Sequence, residues 1–113
     1  MVKIQLTYQG QLRCEATHGP SGKKLTTDAP TDNHGRGESF SPTDLCATAL
    51  GSCMATIMGI YAERHKIDLT SMTVDIEKHM VDNPRRIGKL VVFFQMPPNI
   101  PDKHRTALER AAH

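Results

Sequence analysis

The chain has 113 residues, a formal net charge of +2, and 38% hydrophobic against 23% charged residues, the size of a single domain (1–113) with a modest core. So small a charge, with no Lys/Arg run longer than two and no aromatics interleaved with them, excludes a basic nucleic-acid surface. Three cysteines, an odd number without a secreted scaffold's spacing, predict free thiols in a reducing cytoplasm, and neither a leader nor a membrane span is expected.

Val2, Ile4, Leu6 and Tyr8 alternate with polar residues, the period of a half-buried strand. Gln9-Gly10 is the expected hairpin turn into a second strand near Leu12 to Ala16. A third short strand is expected from Lys24 to Thr27. The polar run T-D-A-P-T-D-N-H-G-R-G-E-S-F, residues 27 to 40, is then long enough for a functional loop. Its N-H-G-R-G-E segment lacks the P-loop pattern and reads as a connector.

A helix start follows. Ser41 suits the N-cap, Pro42 the first helical position, and Asp44 the acid that bonds back in a capping box. Phe40 and Cys46 are the expected hydrophobic staple. Nothing interrupts the helix from Pro42 to about His65, a length of roughly 36 Å. It is apolar all round, which predicts burial from several directions. Ala47, Gly51, Ala55 and Gly59 recur every fourth residue, a ridge that lets a second helix approach closely. Beyond it, Met72 to Met80 and Lys89 to Met96 read as a strand pair around V-D-N-P-R-R-I-G-K, and Asp102 to His113 as a short amphipathic helix. Three strands, a long helix, two strands and a short helix make an α+β fold. One sheet under so apolar a helix leaves surface that a homodimer would cover.

Cys46 and Cys53 return to nearly the same helix face about 10 Å apart, too far for a disulfide. Cys46 reads as a small apolar filler near the cap. Cys53 is mid-helix, so the helix dipole lowers its pKa little, and a reactive thiol there needs a side-chain cation. Arg13 and Arg36 are the candidates. Without one of them, Cys53 reads as a packed thiol. The six histidines show no metal-ligand spacing.

T-D-A-P-T-D-N, G-R-G-E-S-F-S-P-T-D-L and A-L-G-S-C-M-A-T-I-M-G-I-Y-A, with P-R-R-I and L-E-R-A-A later, resemble the OsmC/Ohr family over nearly the whole chain, and its OsmC-like branch more than Ohr proper. The resemblance implies an intertwined α+β homodimer that reduces organic hydroperoxides by thiol chemistry, without haem, flavin or metal cofactor. It matches Cys53 to the peroxide-attacking thiol, Asp44 to the family's acidic helix-cap residue, and Arg13 or Arg36 to the supporting arginine. Phe40, Met54 and Met58 are the expected pocket for the peroxide's alkyl part. A dithiol, a lipoyl group for instance, is the implied reductant. The family's second cysteine follows the short helix, so the resemblance implies either further sequence beyond Ala-Ala-His113 or a protein that lacks the resolving thiol. The other reading is a non-enzymatic dimeric module binding a small apolar or thiol-reactive ligand.

Overall fold

The computed structural model describes residues 1–113. Its elements run β1 (Ile4–Gly10), β2 (Arg13–His18), β3 (Lys24–Asp28), α1 (Pro42–Arg64), β4 (Thr73–Val81), β5 (Arg86–Gln95) and α2 (Asp102–Ala112), with one 3-10 turn at Thr31–Asn33. Both sheets are antiparallel, one ordered β1-β2-β3 and the other β4-β5. This is the expected α+β order. The chain divides into two compact units, Met1–Leu45 and Cys46–His113.

In the first unit the β1–β2 turn falls at Gln11-Leu12, two residues beyond the expected site. Both residues take positive φ (54° and 63°) between the paired Gly10 and Arg13. Two positive-φ residues match the right-handed twist of the flanking strands. A register shift between Tyr8 and Gly10 absorbs the displacement. The expected half-burial of β1 does not occur in this chain. Ile4, Leu6 and Tyr8 stay exposed because nothing within the unit covers the apolar face of the three-stranded sheet. Its buried side chains are Thr27, Asp28 and Ser41.

α1 opens on the expected capping box. The Asp44 N–H donates to Ser41 Oγ at 3.1 Å, and the Ser41 N–H to Asp44 Oδ2 at 3.0 Å. Phe40 and Cys46, the two members of the expected staple, are both exposed. The helix ends in a Schellman arrangement. Lys66 turns left-handed (φ 54°) while the Ile67 and Lys66 N–H groups donate to Ala62 and Glu63 carbonyls.

The second unit holds the core. Met58, Ile100, Leu108 and Ala112 are buried together, with Met54, Tyr61, Met72, Phe94 and Met96 packed against them. Ala47, Gly51, Met58 and Ala62 form the buried face of α1. A Cβ on Gly51 would run into Ile76 of β4, so the small residues here admit a strand of the same chain. At Gly51 the neighbour is therefore a strand and not the expected second helix, while nothing in this chain approaches the Cβ position of Gly59. Tyr61 ties α1 to α2 through a 3.1 Å hydrogen bond between its hydroxyl and His104 Nδ1, and stacks on His65.

The other face of α1 is exposed in the single chain, the apolar surface that the sequence leads one to expect of one copy. With no charged residue between Asp44 and Glu63, this 23-residue helix is long and apolar enough to cross a membrane by length and composition alone, which the sequence reading did not anticipate.

Candidate functional site

Cys53 lies near the middle of α1, and its residue is exposed. On the same face lie Cys46, Leu50, Ile57 and Ile60, spaced alternately by four and three residues and all exposed. That is the spacing of a helix–helix seam. Neither Cys46 as an apolar filler nor Cys53 as a packed thiol is realised within this chain. Both thiols belong to the face that the sheet does not take. Cys14, the third thiol, is half-buried on β2, opposite Tyr8 and Thr27.

Met54 and the fully buried Met58 line an open cavity of about 1170 Å³. Leu50, Val92, Phe94 and Met96 add apolar wall, and Arg105, Glu109 and Arg110 of α2 form a charged rim. Two of the three expected pocket residues are thus brought together. Phe40 belongs to the first unit, exposed just ahead of α1.

The candidate cations are placed very differently. Arg13 starts β2 and is the register partner of Asp28 at the end of β3. Its Nη2 donates to Asp28 Oδ2 at 3.4 Å and to Glu38 Oε2 at 2.6 Å, while its Nε is buried without a partner. The hydrogen bond to Glu38 leads the effects that raise the Arg13 pKa above the ordinary arginine value. Asp28 is 1% exposed, and its Oδ2 also accepts the Glu38 backbone N–H at 3.0 Å. That N–H, followed by the Arg13 charge and hydrogen bond, holds the Asp28 carboxyl below its usual range, against the opposing effect of desolvation. Arg36 is 60% exposed and reaches Glu38 only at 4.0 Å. An exposed pair at that distance orders little.

Asp44 is occupied by the capping box. Asp28 and Glu38 escaped the sequence reading. The only signal was an aspartate ending a Thr-rich strand, T-T-D, ten residues before a glutamate. No group of three or more His, Cys, Asp or Glu side chains is placed to hold a metal ion.

The family model described as OsmC-like protein matches residues 35–113. A crystal structure from Psychrobacter arcticus 273-4, provisionally described as an osmotic stress induced and detoxification response protein, is 42% identical. The likeness covers 99% of this chain and 82% of that one, with a TM-score of 0.94. At 20% identity, a Legionella pneumophila protein described as an organic hydroperoxide resistance protein OsmC shares the fold, with a TM-score of 0.72 over 100% of this chain and 82% of its own. An OsmC-like protein of unknown function from Vibrio cholerae does so at 14% identity, with a TM-score of 0.77 over 100% and 87%. No curated protein matches the chain. With the family model spanning most of its length and a 42% identical relative spanning nearly all of it, the chain belongs to the OsmC family.

Proposed function

We propose that this protein is a cysteine-based reductase of organic hydroperoxides, acting as a homodimer in the cytoplasm. The observation that carries the reading is the exposed Cys53 thiol, set among Leu50, Ile57 and Ile60 on the outward face of α1. A thiol among apolar side chains favours a peroxide with an organic substituent, each buried CH₂ contributing about 0.8 kcal/mol. The Legionella relative's description as an organic hydroperoxide resistance protein, and the Psychrobacter relative's as a detoxification response protein, agree with this reading.

The Cys53 thiolate attacks the terminal peroxide oxygen. The O–O bond breaks, the sulfur becomes a sulfenic acid, and the alkoxide leaves as the alcohol after taking a proton. A dithiol, such as a lipoyl group, then restores the enzyme. Its first thiol displaces water to form a mixed disulfide. Its second thiol closes the dithiol's own disulfide and releases the Cys53 thiol. The family resemblance gives the role of favouring the thiolate to Arg13 or Arg36. Met54 and Met58 receive the alkyl part. Asp44 sets the start of the helix that carries the thiol.

The second copy is assigned to the seam of Cys46, Leu50, Cys53, Ile57 and Ile60. So many exposed apolar residues along one helix face are rare on a monomer. The test is hydroperoxide consumption with excess dithiol. Wild type turns over, whereas Cys53→Ser loses activity and Cys46→Ser keeps it. Turnover that survives Cys53→Ser overturns the reading.

A further inference from the structure

Tyr61, His65 and His104 bring three rings together where the last turn of α1 meets the first turn of α2. All three belong to the Cys46–His113 unit. His65 stacks on Tyr61 with ring centroids 4.1 Å apart and planes 19° apart. His104 meets Tyr61 edge-on at 6.0 Å, and the two imidazole centroids lie 5.5 Å apart.

One tyrosine holds both Nδ1 atoms. His65 Nδ1 lies 3.0 Å from the Tyr61 carbonyl oxygen. A carbonyl only accepts, so Nδ1 carries the proton and Nε2 keeps its lone pair. His104 Nδ1 lies 3.1 Å from the Tyr61 hydroxyl, which accepts from an Nδ1–H as readily as it donates. With that proton on Nδ1, the His104 Nε2 lone pair is open as well. Neither Nε2 has a hydrogen-bond partner in the chain. An imidazole held through Nδ1–H by an oxygen, with Nε2 bare, is the form that ligates metal ions.

The spacing fits a single ion. A ring nitrogen binds zinc at about 2.0–2.1 Å, which puts the ion about 3.2 Å from each ring centroid. Centroids 5.5 Å apart then subtend roughly 120° at the ion, a small adjustment from tetrahedral. Arg64 and Lys66 flank His65 in sequence, and Lys103 and Arg105 flank His104. Their charges weaken the hold on any cation without altering the two donors.

We propose that His65 and His104 form a two-nitrogen site for a divalent transition ion that favours imidazole, linking α1 to α2. Water or an external ligand completes the coordination, so the ion is exchangeable rather than enclosed. His65 follows Cys53 by twelve residues, about 18 Å along the helix axis, so the site stands apart from the peroxidase reading.

The test is a zinc titration followed by the imidazole 15N signals, to which the exposed thiols of Cys46 and Cys53 do not contribute. The His65 and His104 Nε2 signals should move together and saturate at one zinc per chain. His65→Gln and His104→Gln should each weaken zinc binding at the remaining ring at least about tenfold. Tyr61→Phe keeps the stacked ring and the carbonyl but loses the hydroxyl, and should also weaken binding about tenfold. His79→Gln, on β4, should change nothing. Zinc should raise the Tm of wild type and of His79→Gln, and not that of His65→Gln. His65 is exposed, so His65→Gln decides the matter even where His104→Gln fails to fold. Two rings that respond at different zinc concentrations, or not at all, overturn the shared site. Affinity that survives His65→Gln does the same, and unchanged affinity in Tyr61→Phe reduces the pair to adventitious surface histidines.

Discussion

Gly51 of α1 sits so close to Ile76 of β4 that even a methyl group at Gly51 would meet Ile76 Cδ1, with Val74 close behind. Two turns further along the same helix, Gly59 faces open space. The helix therefore carries two glycines for different reasons, and they should respond in opposite directions. Gly51→Leu overpacks the helix–sheet contact and should cost about 1–3 kcal/mol. Gly59→Ala adds helix propensity without a clash and should contribute up to about 1 kcal/mol. Urea unfolding of both variants at several protein concentrations checks this. Gly59→Ala less stable than Gly51→Leu would overturn it.

The exposed seam on α1 predicts assembly. Wild type should sediment as a dimer at micromolar concentration. Ile57→Lys places a charge in the middle of the seam and should give monomers with unchanged far-ultraviolet circular dichroism. A monomeric wild type would remove the basis for pairing through this face.

Asp28 predicts how the protein responds to acid. Its folded carboxyl titrates below the ordinary aspartate value of about 3.9, so its charged form favours the folded state. That contribution is fully present above this value and is lost as the pH falls through the lowered folded one. Asp28→Asn should therefore flatten the decline in Tm between about pH 4 and pH 2, beneath a lower plateau at neutral pH. Parallel acid limbs for the two proteins would show that Asp28 contributes little.

Oxidation of the 113-residue chain should stop at one thiol. Cys46 and Cys53 lie seven residues apart on an unbroken helix, about 10 Å along its axis, whereas a disulfide needs Cα atoms within about 7 Å. One equivalent of organic hydroperoxide should therefore add one oxygen, at Cys53, as read by intact mass and peptide mapping. Excess peroxide should drive it to sulfinic acid. A loss of two hydrogens with no oxygen gained would instead mean that one of the three cysteines is a resolving thiol.

The sequence by itself determined the element order and the start of the long helix. These features are local. Ser41, Pro42 and Asp44 encode the capping box within four residues, and strand alternation is read over eight. The β1–β2 turn was missed by two residues. Gln11 and Leu12 take positive φ without being the residue types that advertise it, and pairing between strands decides such a turn.

Only the tertiary structure decided which faces are used. An all-round apolar helix has no periodic signal to say which side meets the sheet. Its division into an Ala47–Gly51–Met58–Ala62 face against the core and a Cys46–Leu50–Cys53–Ile57–Ile60 face turned outward follows from the volume of Ile76 and Val74 beneath Gly51. The same holds for Arg13. Nothing in the sequence joins it to an aspartate fifteen residues away and a glutamate twenty-five away. That cluster exists because antiparallel register sets Arg13 opposite Asp28 and the following loop returns Glu38 to the same carboxylate, two long-range pairings that no local window contains.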